Sequence, residues 1–255
     1  MKARKLLYAT DLKKNALSFN LLKGILPVRE LDFSEIAFLQ TTPFASWLKG
    51  LSDLSIKSKI IYENQLFPRG ILNAAKNEGA SLIVINLDRK EGKTSKNSMI
   101  RQLIKYSSLP ILFINNTNQE IKPGGKGIFA CVVFATDWSH TSEKALAFLL
   151  DFKKILGELE IVNVIKGKLT IKEMRQLKDR LVKTRKKCLD NKIDAESHIY
   201  AGKTSEEILT AARDYKADMV VVGGESGKKG LSRFFKKSSS WKVACEAELP
   251  VLVVP

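Results

Sequence analysis

A chain of 255 residues that is 44% hydrophobic and 27% charged is long enough for one large or two ordinary globular cores, and its composition does not fit a disordered chain. The formal net charge of +16 favours anionic partners through a long-range, salt-sensitive field. That excess is spread evenly, with 18 basic against 10 acidic residues in 1–120 and 25 against 17 afterwards, so no basic arm dedicated to nucleic acid stands out.

The opening MKARKLLYATDL has only a short apolar stretch before Asp11, which reads as neither a signal peptide nor a membrane span. Cytoplasmic location is the expectation. The three cysteines, Cys131, Cys188 and Cys245, are widely spaced without a CxxC, and the two histidines are too few to complete a zinc site. They read as reduced, buried thiols, and no metal site is expected.

In chain order, the first apolar run ends in Ala9-Thr10-Asp11. About a dozen residues, 43–55, separate the second and third expected strands, so any helix there is short. ILNAAKNEGASLIVI from Ile71 reads as helix, turn and strand, and LPILFI from Leu109 as a last strand. The polar, Gly-, Asn- and Pro-containing stretch that follows predicts a linker over 117–127. Then the landmarks return: Ala135-Thr136-Asp137, ILTAARDYKADMVVV from Ile208 and LPVLVV from Leu249, at offsets of 126, 137 and 140 residues. Two domains are therefore expected, 1–116 and 128–255.

In the second copy, strands are predicted at 131–135, 160–165, 196–200, 219–222 and 251–254. A helix starting near Thr141 or Ser142 carries Ala145, Leu146, Leu149 and Phe152 on one face. A longer one over 172–190 carries Met174, Leu177, Leu181 and Cys188. A third is expected to open on a capping box, Thr204 with Glu207. Alternation of short apolar runs with helical patterns predicts an α/β fold: two tandem doubly wound five-stranded parallel-sheet sandwiches, five strands and four helices each.

Two passages of the second copy carry a resemblance. In ATDWSHTSEKAL a strand ends in Thr136-Asp137, with Ser139, Ser142 and Ala145-Leu146 following. In GGESGKKGLSRFFKKSSSWKVACEAELPVLVV a glycine-rich turn leads through GLSR and a serine run to a final Pro-strand. Together they resemble the universal stress protein family over about 125 residues. The resemblance implies a fold of the adenine nucleotide alpha hydrolase type that in many members binds ATP or a related adenine nucleotide, AMP included, at the carboxyl ends of the strands. This agrees with the general rule for ligands of open α/β sheets.

Carried onto this chain, the family pattern has Asp137 contacting the adenosine and Val164 lying near the base. Gly224 and Gly227 would supply the phosphate turn, although Gly223 could equally take the first role. Lys237-Ser238, followed by Ser239, stands where the family has a Gly-Ser or Gly-Thr pair at the phosphates. The lysine can be read both ways, as a side chain blocking a close backbone approach or as an added cation beside the phosphates. Copy one has Leu87 and Lys90 opposite Gly224 and Gly227, and Leu87 cannot take left-handed turn geometry cheaply. Despite Asp11, no phosphate cradle is expected there. The family's habit of pairing last strands suggests an intramolecular pseudo-dimer that can self-associate further.

Other signals are weaker. EGKTS and AGKTS imitate the end of a P-loop, but the first glycines such a loop needs would be at 87 and 197, which are Leu87 and Ser197. His140 and His198 belong to no triad, and Ser238-Ser239-Ser240 reads first as a helix cap, then as a phosphate acceptor. Trp138 and Trp241 flank the expected cleft and are the candidates for a fluorescence response to nucleotide.

The sequence thus points to a stress-response, adenine-nucleotide-binding sensor or interaction module, with Mg²⁺ accompanying ATP. It is not expected to be an enzyme beyond slow hydrolysis, because no general base or second carboxylate joins Asp137. The alternative is a pseudo-dimeric scaffold that binds a protein or polyanionic partner without nucleotide.

Overall fold

A computed structural model describes residues 4–10, 33–40, 56–64, 66–87, 93–115, 127–224 and 239–255. The chain divides into two units, Met1–Gly127 and Ile128–Pro255.

The first unit contains strands β1 (Arg4–Thr10), β2 (Phe33–Gln40), β3 (Lys57–Tyr62), β4 (Leu82–Leu87) and β5 (Ile111–Asn115). Helices α1 (Pro68–Asn77) and α2 (Lys93–Tyr106) also belong to it. Its strands are parallel in the order β3-β2-β1-β4-β5. Leu6, Leu7, Tyr8 and Ala9 of the central strand are fully buried, as expected for a run covered on both faces. The expected short helix in 43–55 lies outside the described residues.

The second unit contains β6 (Cys131–Ala135), α3 (His140–Leu150), β7 (Glu158–Ile165), α4 (Ile171–Asp190) and β8 (Asp194–Ala201). These are followed by α5 (Thr204–Asp214), β9 (Met219–Gly223), α6 (Ser239–Glu246) and β10 (Val251–Val254). Its parallel order is β10-β9-β6-β7-β8. The chain leaves β6 toward β7 and β8, then returns to build β9 and β10 on the other side, so β6 and β9 flank the point where strand order reverses. Each strand here is only four to eight residues long, and Val132, Val133, Phe134, Val220 and Val221 pack at no more than 1% exposure.

One helix start differs from expectation. Helix α5 has Lys203 at its N-cap with no side-chain cap bond, and the Thr204 hydroxyl is buried without a hydrogen-bond partner. Glu207 instead lies against Gly202, where an added Cβ would meet its carboxyl at 2.5 Å. The capping box belongs to α4: Thr170 accepts from the Glu173 amide at 3.2 Å and Glu173 accepts from the Thr170 amide at 2.8 Å. The same Ser/Thr-x-x-Glu pattern is present at both places, so pattern alone could not choose between them.

Candidate functional site

The carboxyl ends of β6, β7 and β9 meet at the strand-order reversal, and local chemistry fixes them in place. The Thr136 amide donates to the Val162 carbonyl at 2.9 Å, and Asn163 Nδ2 donates to the Thr136 carbonyl at 2.7 Å. Both residues are buried, so the chain leaves β6 on a defined path. Val164, one residue further along β7, is half-buried.

The next residues turn the chain into α3. Asp137 is exposed, and its Oδ1 accepts from the Ser139 amide at 2.9 Å and from the Ser142 hydroxyl at 3.1 Å. Ser139 is the N-cap of the helix. Partial burial pushes the Asp137 carboxyl up, but the bonds donated by Ser139 and Ser142 outweigh it and hold the group below its ordinary range. Asp137 is therefore ionised at neutral pH. Both bonds fall on Oδ1, and among the described residues Oδ2 accepts none.

The tip of β9 explains why two glycines follow one another. A Cβ on Gly223 would lie 2.6 Å from the Ser142 amide nitrogen and 2.8 Å from the Thr141 carbonyl carbon. Only glycine lets the first turn of α3 press against the end of β9, and Thr141 Oγ1 fastens that contact by donating to the Gly224 carbonyl at 2.8 Å. Gly224 faces the other way. Its amide donates to the Val254 carbonyl at 2.7 Å, and a Cβ there would sit 3.3 Å from the Pro255 Cα. Of the two candidates for the first glycine role, Gly223 carries the close approach, and the Gly224 amide is committed to β10 rather than offered to a phosphate. Thr141 is a site residue that the sequence reading did not single out, and Gly223 was only the alternative to Gly224. The signal for them was the doubled glycine itself, whose first member ends the strand.

Of the remaining predicted residues, Ser239 opens α6 and is half-buried. Gly227, Lys237 and Ser238 lie outside the described residues. Trp138 is not turned to the crevice as expected: its indole bonds to α4, with Arg180 over the ring at 5.5 Å. His198 of β8 joins Glu160 of β7 through Nε2 at 2.6 Å and Tyr215, the C-cap of α5, through Nδ1 at 2.9 Å.

Comparisons with known proteins bear on the family and the fold. The model of the Universal stress protein family matches residues 130–255. A universal stress protein from Archaeoglobus fulgidus is similar in structure over 99% of this chain and 96% of its own, at 19% identity and a TM-score of 0.69. A functionally unknown protein from Pseudomonas aeruginosa is similar over 99% of this chain and 92% of its own, at 17% identity and a TM-score of 0.68. A second universal stress protein structure from A. fulgidus, in complex with dAMP, aligns with 50% of this chain and 99% of its own, at 19% identity and a TM-score of 0.41. No curated protein matches the sequence.

Proposed function

Because residues 130–255 belong to the universal stress protein family, we propose that the second unit is an adenine-nucleotide-binding module, serving in the stress response as a sensor or interaction domain. The observation that carries this reading is the Asp137 carboxylate. It stands exposed at the reversal of strand order, ionised, with Oδ1 spent on the start of α3 and Oδ2 left to accept from a ligand. A ribose hydroxyl or an adenine amino group is a donor of the right kind. In this reading Val164 lines the base side, and Gly227, Lys237, Ser238 and Ser239 face the phosphates of ATP or AMP, with Mg²⁺ accompanying ATP. The activity in this reading is binding, with slow hydrolysis at most.

Equilibrium dialysis of the full chain against ATP, with AMP as comparison, tests the reading. One site per chain is expected. Failure to bind either nucleotide, together with salt-dependent retention on an anionic matrix, would instead make the chain a scaffold for a protein or polyanionic partner. That outcome is favoured by the +16 charge and by the Gly224 amide being already bonded to β10.

A further inference from the structure

The first unit holds a cavity of about 700 Å³ between α1 and α2, whose described lining residues all belong to that unit. Its size lies within the range of sites that take one small molecule. It is also deep: Ile83 of β4, fully buried in the sheet, forms part of its floor, with Ala75, Ala80, Leu72 and Leu109 around it. Arg69 and Lys76 line it on the α1 side, seven residues and therefore about two turns apart on one helix face. Among the described residues no Asp or Glu lines the cavity, and neither cation forms an ion pair.

The internal repeat supplies a control for whether this charge pattern merely follows from the fold. At the offset of 137 residues that aligns Ile71 with Ile208, Arg69 corresponds to Glu206 and Gly79 to Lys216. At the offset of 140 that aligns Leu109 with Leu249, Tyr106 corresponds to Glu246 and Ser108 to Glu248. At the lining positions the second unit thus has three carboxylates balanced by Arg213, Lys216 and Lys242, whereas the described lining of the first has Arg69 and Lys76 and no carboxylate. The turn geometry is kept, since Gly79 and Lys216 both have positive φ, at 64° and 50°, yet the first unit has removed the side chain at that point, and an added Cβ on Gly79 would meet nothing within 4 Å. The copy that lacks the glycine-rich turn therefore has the more open groove at Gly79 and a net positive lining.

We infer that the groove between α1 and α2 of the first unit binds a small amphipathic organic anion, a compound with an apolar body and a carboxylate, sulfonate or phosphate head. The apolar body would rest on Leu72, Ala75, Ala80 and Ile83, with the head at Arg69 or Lys76 on the rim. Tyr106, exposed at the mouth, offers a ring face or a hydroxyl to the same ligand. The +16 charge of the chain raises the local concentration of such anions at low salt.

The test uses the full chain and anilinonaphthalene sulfonate, itself an apolar anion, with dodecanoate and the equally long cation dodecyltrimethylammonium as competitors. One saturable site per chain is expected, displaced by dodecanoate but neither by the cation nor by ATP. Arg69→Glu, which installs the residue of the second copy, is expected to weaken the probe at least tenfold, and Leu72→Trp, which fills the groove, to abolish its binding. Unfolding curves confirm that both variants are folded, and Lys76→Glu serves in place of either that is not. Three results would overturn the inference. The first is absence of saturable binding, and the second is binding indifferent to these substitutions. The third is displacement by an acidic polypeptide but not by dodecanoate, which would assign the groove to a protein segment.

Discussion

The Trp138 indole Nε1 donates to Thr184 Oγ1 at 3.0 Å, which ties the turn after β6 to the middle of α4. Thr184 in turn donates to the Arg180 carbonyl at 2.9 Å, and the Arg180 guanidinium lies over the indole. Trp138 holds a φ of 56°, a conformation costly for a bulky residue, so its side-chain contacts must offset the backbone strain beside the candidate site.

Thr184→Val removes the acceptor while keeping the shape. Thr184 is 7% exposed, so the indole N–H is left without a partner at a largely dry contact. A loss of about 1–2 kcal/mol is expected. Urea unfolding followed by tryptophan fluorescence checks it, and an unchanged midpoint would show that the bond does not hold the turn.

Gly223→Ala should be worse than Gly224→Ala. The first forces a Cβ to within 2.8 Å of the α3 backbone, whereas the second meets its nearest atom at 3.3 Å. We expect about 1–3 kcal/mol of destabilisation for Gly223→Ala, from overpacking against atoms that cannot step aside. Gly224→Ala should cost less than half of that. Thermal unfolding of the two variants side by side decides the order.

The Cys131 thiol is pushed up to about 11 by burial first, then by the negative charge of Glu160, Asp218 and Glu158. Its sulfur and the carboxylates of Glu158 and Glu160 lie within 4.8 Å of one another. A thiol raised from 9.0 to about 11 is much poorer in thiolate at pH 8, and although the more basic thiolate is intrinsically more nucleophilic, its alkylation by iodoacetamide should be slower than that of free cysteine by about tenfold or more. Glu160→Gln should speed the reaction. Because the folded group titrates above the unfolded one, its contribution to stability is complete below pH 9 and is lost as pH rises toward 11. The unfolding midpoint should fall over that window, and less steeply in Cys131→Ser.

The fold was legible because burial on both faces leaves a simple mark, short apolar runs such as VVF at 132–134 and MVVV at 219–222 between amphipathic helices, and because the pattern occurs twice. The path of the chain at Asp137 was legible only approximately, since the helix expected to start near Thr141 or Ser142 begins at His140 with Ser139 as its N-cap. What could not be read was direction. Which member of Gly223-Gly224 meets α3, which of two Ser/Thr-x-x-Glu stretches becomes the capping box, and whether Trp138 faces the crevice or α4 all depend on contacts between residues tens of positions apart. Sequence spacing carries no record of those contacts. The groove between α1 and α2 went unread for a related reason: Arg69 and Ser108 become neighbours of one cavity only once the helices pack.

Asp137→Asn tests the central claim most directly, measured by isothermal titration of the full chain with ATP and AMP. The amide keeps an Oδ1 to accept from Ser139 and Ser142, so α3 should remain capped, but it turns the free Oδ2 acceptor into a donor. Nucleotide affinity is predicted to fall at least tenfold while the unfolding midpoint moves by no more than about 1 kcal/mol equivalent. Equal affinity in the variant and the parent chain, or no heat from either nucleotide with the parent, would contradict a nucleotide site built on Asp137.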